Sequence, residues 1–438
     1  MQDLITSNTI VLFNSKGRKM KKMFLVLLLM FGFAIQTAFA TDGYYRHGYG
    51  IKYSALAGSG VAVSLSSLGA ITNPAVISNL NSGFEINVSY FSPNRYYEVF
   101  GNPSGFPGTF GLMPGKVESE KTSFFFPSIG ANLKLADNMA IGLSIYGNGG
   151  MNTDYPTKTF GDPFSPSTGV NIEQMFGNLS FAYNFANNQS FGVAAILGWQ
   201  RFAAKGLVGF SNFSADPANL TGNSWSSAFG FGFKVGYQGQ WLKDVRFGAS
   251  YQSKLYMGEF ERYAGLFAQQ GDFDVPANWQ AGFAFTPGDW KFLVDVKQIL
   301  YSGIKSVANP LLPNLMTAKL GTDGGAGFGW KDIFIFKYGM VYSGFCGWDL
   351  MAGYSIGQNP ISDTEVLFNI LAPAVIENQL TLGITKKLAN KQEVTVAFMY
   401  AFENSVRGVN PLEVPGQQSI KIGMKQWQVE IGYAFGSF

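Results

Sequence analysis

Cysteine, histidine and charge are all scarce in this chain. The single Cys346 rules out an internal disulfide and any paired-cysteine metal or redox spacing. The single His47 stands beside no nucleophile motif, and neither G-x-S-x-G nor H-E-x-x-H occurs, so the usual nucleophile–base chemistry has no parts to work with. The reading is therefore no enzyme and no cofactor, with His47 a packed or solvated residue rather than a proton switch. Lys, Arg, Asp and Glu make up 13% of 438 residues, about half the roughly 25% of soluble domains. Past residue 40 there is no run of about 18 apolar residues, so no membrane-spanning helix is expected. Glycine (54) and phenylalanine (41) are abundant instead. Many aromatics with little charge suit a surface that faces lipid.

The one long apolar run is near the start. KKMFLVLLLMFGFAIQTAFA carries a basic stretch (Lys19, Lys21, Lys22), an apolar stretch from Phe24 to Ile35, and Ala38-Phe39-Ala40 in the A-x-A form of a cleavage site. Residues 1–40 read as a secretory signal peptide, too short in its apolar part to span. The polar residues 1–19 in front of it read as an upstream extension, with Met20 or Met23 the expected start. Without residues 1–40 the chain loses five bases (Lys16, Arg18, Lys19, Lys21, Lys22) and Asp3, and its formal charge of +3 becomes −1. The apparent basicity belongs to the signal, and no nucleic-acid partner is expected.

Period-2 alternation dominates the rest. In SWSSAFGFGFKVGYQ one face carries Trp225, Ser227, Phe229, Phe231, Phe233, Val235 and Tyr237, and the other carries small, amide or charged residues. A soluble sandwich places its apolar face against a core and its polar face in water. Aromatics on one face with small and polar residues on the other suit a barrel in lipid. Strands are expected near 84–91, 124–135, 139–147, 176–185, 190–201, 225–238, 244–257, 277–286, 290–301, 331–342, 348–356, 378–388, 393–402 and 421–436. Short turns (136–138, 186–189, 242–244, 286–289, 344–347, 389–392) alternate with long segments (92–123, 148–175, 202–224, 258–276, 302–330, 357–377, 403–420). The fold class is thus all-β, a transmembrane antiparallel barrel of about fourteen strands over 83–438. Short turns mark the periplasmic end, so the first strand runs outward. The C-terminal WQVEIGYAFGSF supports outer-membrane export, with its terminal Phe438 one residue out of register with Phe435.

Residues 41–82 do not alternate. They are rich in Gly, Ala and Ser, and Asn73 with Pro74 reads as a helix cap followed by a first helical residue. A segment at the mouth of a large barrel is expected either to fold back into the lumen as a plug or to remain a periplasmic tail. HGYGIKYSALAGSGVAV followed by NPA resembles the N-terminal hatch of FadL-type outer-membrane transporters. The run WDLMAGYSIGQNPISDTEVLFNILAPAVIENQLTLGITKKL is similar to the C-terminal half of that family. The chain departs from the pattern at Ser66-Ser67-Leu68-Gly69, where an acidic residue is usual, and at Val76, where Gly usually follows NPA. The resemblance implies a monomeric barrel in the bacterial outer membrane, inserted by the barrel-assembly machinery and surrounded by lipopolysaccharide and outer-membrane lipids. It implies passive uptake of long-chain fatty acids or aromatic hydrocarbons: capture on apolar outer loops, transfer to a lumenal site at the hatch, and sideways release at a kinked third strand.

Candidate residues follow from both readings. On the outer loops these are Leu207, Val208, Phe210 and Phe213 in one, and Phe260, Arg262, Tyr263 and Phe267 in the next. The apolar members of the second loop follow helical spacing, with Arg262 on the opposite side. In the hatch they are His47, Asn73, Pro74 and Ala75. Basic lumenal candidates are Lys234, Arg246, Lys254 and Lys297, either hydrating the lumen and pairing with the plug or meeting a carboxylate. Gly147, Gly149 and Gly150 are candidates for the lateral gate. A structural or adhesin-type barrel with no dedicated hydrophobic substrate is the alternative.

Overall fold

The computed structural model describes residues 42–436. The expected signal peptide and terminal Phe438 lie outside them. Fourteen long strands form one antiparallel sheet: β1 (Gly83–Phe100), β2 (Phe124–Ala136), β3 (Met139–Gly149), β4 (Gly169–Ala186), β5 (Gln189–Lys205), β6 (Ser226–Leu242), β7 (Val245–Gln252), β8 (Asn278–Phe285), β9 (Trp290–Ile299), β10 (Ile333–Phe345), β11 (Trp348–Gly357), β12 (Asn378–Lys387), β13 (Gln392–Val409) and β14 (Ser419–Phe435). Each pairs with its sequence neighbours, and β14 returns to pair with β1 from Phe84–Phe435 to Phe100–Ser419, which closes the barrel. Two short segments add to the wall, Gly115–Glu118 on the far end of β1 and Tyr256–Met257 on β6.

Alternation decides which side each residue faces. Along β6, Phe229, Phe231 and Phe233 are 75%, 66% and 52% exposed, while Ser226, Ala228 and Lys234 are buried. Along β1, Phe84, Ile86 and Val88 are exposed while Glu85, Asn87 and Ser89 are buried. The wall is apolar outside and polar inside, the inverse of a soluble sheet. Turn chemistry sets the register at one end. Asn188, Asp244 and Asn390 take positive φ in three of the tight turns, a conformation that Asn and Asp tolerate best after glycine. Aromatic clusters gather near that end, among them Trp241 with Phe247 and Trp290 with Tyr342.

Two expectations need correction. Several strands run further at the long-loop end than the alternation signalled: β1 reaches Phe100 and β13 reaches Val409. Above the lipid an outward residue need not be apolar, so the pattern that marks the strand stops before the strand does. The expected strand 244–257 is broken: β7 ends at Gln252, and Tyr256–Met257 pairs separately with Gly230 and Phe231. Lys254, expected in the lumen, stands in that break and pairs with Asp274 at 2.6 Å.

Residues 42–80 are almost entirely buried and bond to inward residues around the barrel. The Asn73-Pro74 expectation is met: Asn73 Oδ1 accepts from the Ala75 amide at 3.0 Å, and Pro74–Asn79 forms a 3₁₀ helix. The Asn73 amide nitrogen donates at 2.8 Å to Val61 O and to Tyr237 O on β6. Gly192 and Gly236 make this approach possible. A Cβ on Gly192 would fall 2.4 Å from the Ala75 amide, and one on Gly236 would fall 2.0 Å from Asn73 Oδ1.

Candidate functional site

Charged side chains seat the rest of the inner segment. The Asp42 carboxylate is fully buried between Lys297 on β9, at 2.7 Å, and Lys337 on β10, at 3.1 Å. Burial pushes this carboxyl up, and the two ammonium groups more than offset it, so it stays below its usual range. Arg46 pairs with Glu430 at 3.2 Å, and Lys52 pairs with Glu393. Asp295 on β9 accepts from the Gly60 and Val61 amides at 2.7 and 2.9 Å. Lys234, a lumenal candidate, donates to Ile71 O. Lys297 and Lys234 therefore both hold the inner segment. Arg246 lies beside the tight turn at Asp244, at the opposite end of the barrel from the loops. His47 is buried, with Nε2 3.2 Å from Ser54 O. Burial, with Arg46 and Lys337 adding to it, lowers its pKa to about 3, so the imidazole is neutral at physiological pH.

A cavity of about 80 Å³ lies between this end of the segment and the wall. Arg46, His47, Arg95, Phe91, Phe124 and Phe126 line it, and no carboxylate does. Both arginines are buried. Arg46 Nε and Nη1 and Arg95 Nε have no hydrogen-bond partner among the described residues. A buried guanidinium normally has its donors satisfied. This pair instead presents open N–H groups to a small space walled by aromatic rings and by the side-chain amides of Asn152, Gln379, Gln426 and Gln428. Neither arginine was among the sequence candidates. Arg95 has the inward parity of Glu85, Asn87 and Ser89, but it lies in the part of β1 that falls within the expected long segment 92–123; Arg46 stands beside His47.

The wall is incomplete next to this cavity. Pairing of β2 with β3 ends at Ser128–Tyr146, so residues 124–127 on β2 pair with β1 alone. Pro127, which has no N–H to give, is the first residue beyond the last pair. On the other side β3 bulges between Gly147 and Gly149. A second cavity, about 350 Å³, fills this gap and is lined by inward Tyr146 and Gln174 and by outward Phe125, Ile129, Met175 and Trp199. Phe124, Phe126, Gly149 and Asn152 line both cavities. Where β3 has lost β2, the inner segment takes its place: the Arg46 amide donates to Asn148 O and the Gly150 amide to Tyr44 O, both at 3.1 Å. Gly149, at φ 153°, allows this, since a Cβ there would fall 1.8 Å from Tyr44 O. The three candidate gate glycines thus sit together at the gap.

The loop candidates converge as well. Phe260, Tyr263 and Phe267 pack their rings on Phe202 at 5.5, 4.8 and 4.7 Å between centroids. The backbone does not form the single short helix expected: Glu261–Tyr263 is one 3₁₀ turn, and Gln269 and Gln270 take positive φ. Leu207, Phe210 and Phe267, with Phe328, Phe368 and Leu371, enclose a small apolar cavity of about 30 Å³. Val208 and Phe213 are partly exposed on the same loop, with Phe213 packed against the cluster. Arg262 is exposed and lies outside it. A run of aromatic contacts joins this cluster to the inner segment: Phe267 to Phe273 at 4.9 Å, Phe273 to Tyr44 at 6.0 Å, and Tyr44 lines the arginine cavity.

A lipid-facing barrel with an occupied lumen and a gap in its wall is the architecture of a membrane-spanning β-barrel protein. The chain belongs to the outer membrane protein transport protein family (OMPP1/FadL/TodX), whose model matches residues 29–413. This is a family of outer-membrane transport channels, not of enzymes. The fold is similar to that of the P. putida toluene transporter TodX, with 15% identity, 89% of this chain and 99% of that chain covered, and a TM-score of 0.67. A Pseudomonas aeruginosa FadL homologue is similar at 15% identity, with coverage of 91% and 100% and a TM-score of 0.65. The Ralstonia pickettii toluene transporter TbuX is similar at 16%, with coverage of 90% and 99% and a TM-score of 0.61. No curated protein matches the sequence.

Proposed function

We propose that this channel imports long-chain fatty acids or comparable hydrophobic carboxylic acids across the outer membrane. The observation that carries the reading is the pair Arg46 and Arg95, buried, with open donors, in a cavity that no carboxylate lines. A neutral hydrocarbon would leave those N–H groups unsatisfied, whereas a carboxylate accepts from them with charge-assisted bonds. The 80 Å³ cavity has room for a head group and the first carbons, and the adjoining 350 Å³ gap has room for the chain. Capture begins on the loop cluster around Phe210, Phe260 and Phe267, because an aqueous pore rejects greasy molecules and lipopolysaccharide keeps them out of the outer leaflet. Residues 42–82 act as the hatch, and release is sideways through the gap at Gly147–Gly150. No step calls for an energy source, so the gradient drives uptake.

Binding of oleate and of toluene to the purified protein tests this. The expected result is saturable oleate binding that weakens about 10- to 100-fold in Arg46→Gln or Arg95→Gln, since a hydrogen bond to a charged group is worth about 1.5–3 kcal/mol. Saturable toluene binding with none for oleate would overturn the acid reading and leave an aromatic-hydrocarbon channel. No saturable binding of either would favour a structural barrel.

A further inference from the structure

Besides the glycines, two phenylalanines face the gap. Phe124 and Phe126 are the inward-facing side chains of the unpaired end of β2, and both line the arginine cavity and the wall cavity. Their rings therefore stand between the two spaces. Each ring also lies beneath a guanidinium: Arg46 Cζ is 5.6 Å from the centroid of Phe126, and Arg95 Cζ is 5.6 Å from that of Phe124. Phe91 packs against both rings from β1, at 6.3 and 6.0 Å. Gly147 leaves room for Phe126 on the far side, since a Cβ there would come within 3.0 Å of its ring.

We infer that Phe124 and Phe126 form an aromatic shutter between the lumenal cavity and the wall gap, and that Arg46 and Arg95 hold it shut until an anion takes them. This rests on the reading of the two arginines as head-group ligands and adds how binding reaches the exit. A cation over an aromatic face is held by the ring quadrupole, a weaker attraction than a charge-assisted hydrogen bond to a carboxylate. A bound head group draws the guanidinium groups toward itself, weakens their hold on the rings and frees Phe124 and Phe126 to swing aside. A ligand with the same chain and no charge has nothing to offer the arginines and meets a closed shutter. The two phenylalanines are thereby selectivity residues, although they touch the apolar part of the ligand.

The test compares oleate with oleyl alcohol, which has the same chain and no charge, in transfer into the bilayer of liposomes holding the protein. Wild type is expected to transfer oleate at least fivefold faster than the alcohol. In the double variant Phe124→Ala, Phe126→Ala, alcohol transfer is expected to rise at least fivefold while oleate rises less than twofold, so that the preference disappears. Phe124→Leu, Phe126→Leu keeps the bulk but loses the aromatic face, and is expected to fall between the two. The heat-dependent gel mobility of a folded barrel checks each variant. Equal rates for the two ligands in wild type, or a parallel rise for both in the alanine variant, overturns the shutter. Oleate that binds saturably while those results appear leaves the acid site standing, whereas the absence of any saturable oleate binding removes the acid reading itself.

Discussion

The two ends of the inner segment are held in different ways. At the tight-turn end the Asn73–Asn79 corner is fixed by uncharged contacts: one cap, two amide bonds from Asn73, and close approach to Gly192 and Gly236. At the gap end the chain is held by charge, with Asp42 between two lysines and Arg46 on Glu430. Uncharged close packing varies little with its surroundings. Buried charges hold firmly while every partner is present and fail badly when one leaves. The corner has the build of an anchor, and the gap end has the build of a part that an incoming charge can disturb.

Removing one charge should break the comparison most sharply. Asp42→Ala removes the carboxylate that Lys297 and Lys337 share, a loss of about 3–5 kcal/mol for a broken buried pair. The expected outcome is faster amide exchange over 42–60 with 73–80 unchanged, and higher conductance to small hydrophilic ions in planar bilayers. Unchanged conductance would mean that the segment does not obstruct the lumen. At the other end, Gly192→Leu forces a side chain into the Pro74–Ala75 backbone and should cost about 1–3 kcal/mol as overpacking, read as a lower melting temperature of the barrel. Asn73→Ala removes the cap and should cost about 0.5–2 kcal/mol, confined to exchange at 73–80. The smallest effect concerns pH. Burial first, then the charge of Asp274, raises the Asp272 pKa to about 7. An acid whose folded pKa is raised contributes stability that is present below the unfolded value near 3.8 and is lost as pH rises through about 7. Phe273, between the two acids, packs on Tyr44. Protease nicking of the 258–277 loop should therefore increase from pH 5 to pH 8, and Asp272→Asn should flatten that rise. An equal rise at the Asn73 corner would contradict the separation of the two ends.

How much of this the sequence revealed depended on whether a local pattern existed to carry it. Alternation at Phe229, Phe231 and Phe233 announced the lipid face because pleating projects one residue in two outward. Asn73-Pro74 announced the corner because capping is a matter of adjacent residues. The arginine site had no such pattern. Arg46 and Arg95 come from unrelated segments, and they meet only because β1 continues beyond the lipid and the inner segment folds up beside it. Lys254 misled for a related reason: parity was carried across Ser253–Leu255, where the strand breaks. Lys297 was placed correctly in the lumen, but its partner Asp42 follows a predicted cleavage site by two residues and gave no sign of a role. The gap was half visible, in its glycines, while the phenylalanines facing it looked like ordinary strand residues.

The backbone bonds from Tyr44 and Arg46 to β3 have a consequence for assembly. A strand edge facing hydrocarbon with unmet amides and carbonyls is costly, and β3 has such an edge wherever β2 has left it. The residues that cover it come from the start of the described chain, whereas β14, the strand that zips the cylinder to β1, comes from its end. Closing the cylinder is therefore not enough to finish the molecule. The earliest segment must also be seated inside, or the wall meets the membrane with a raw seam.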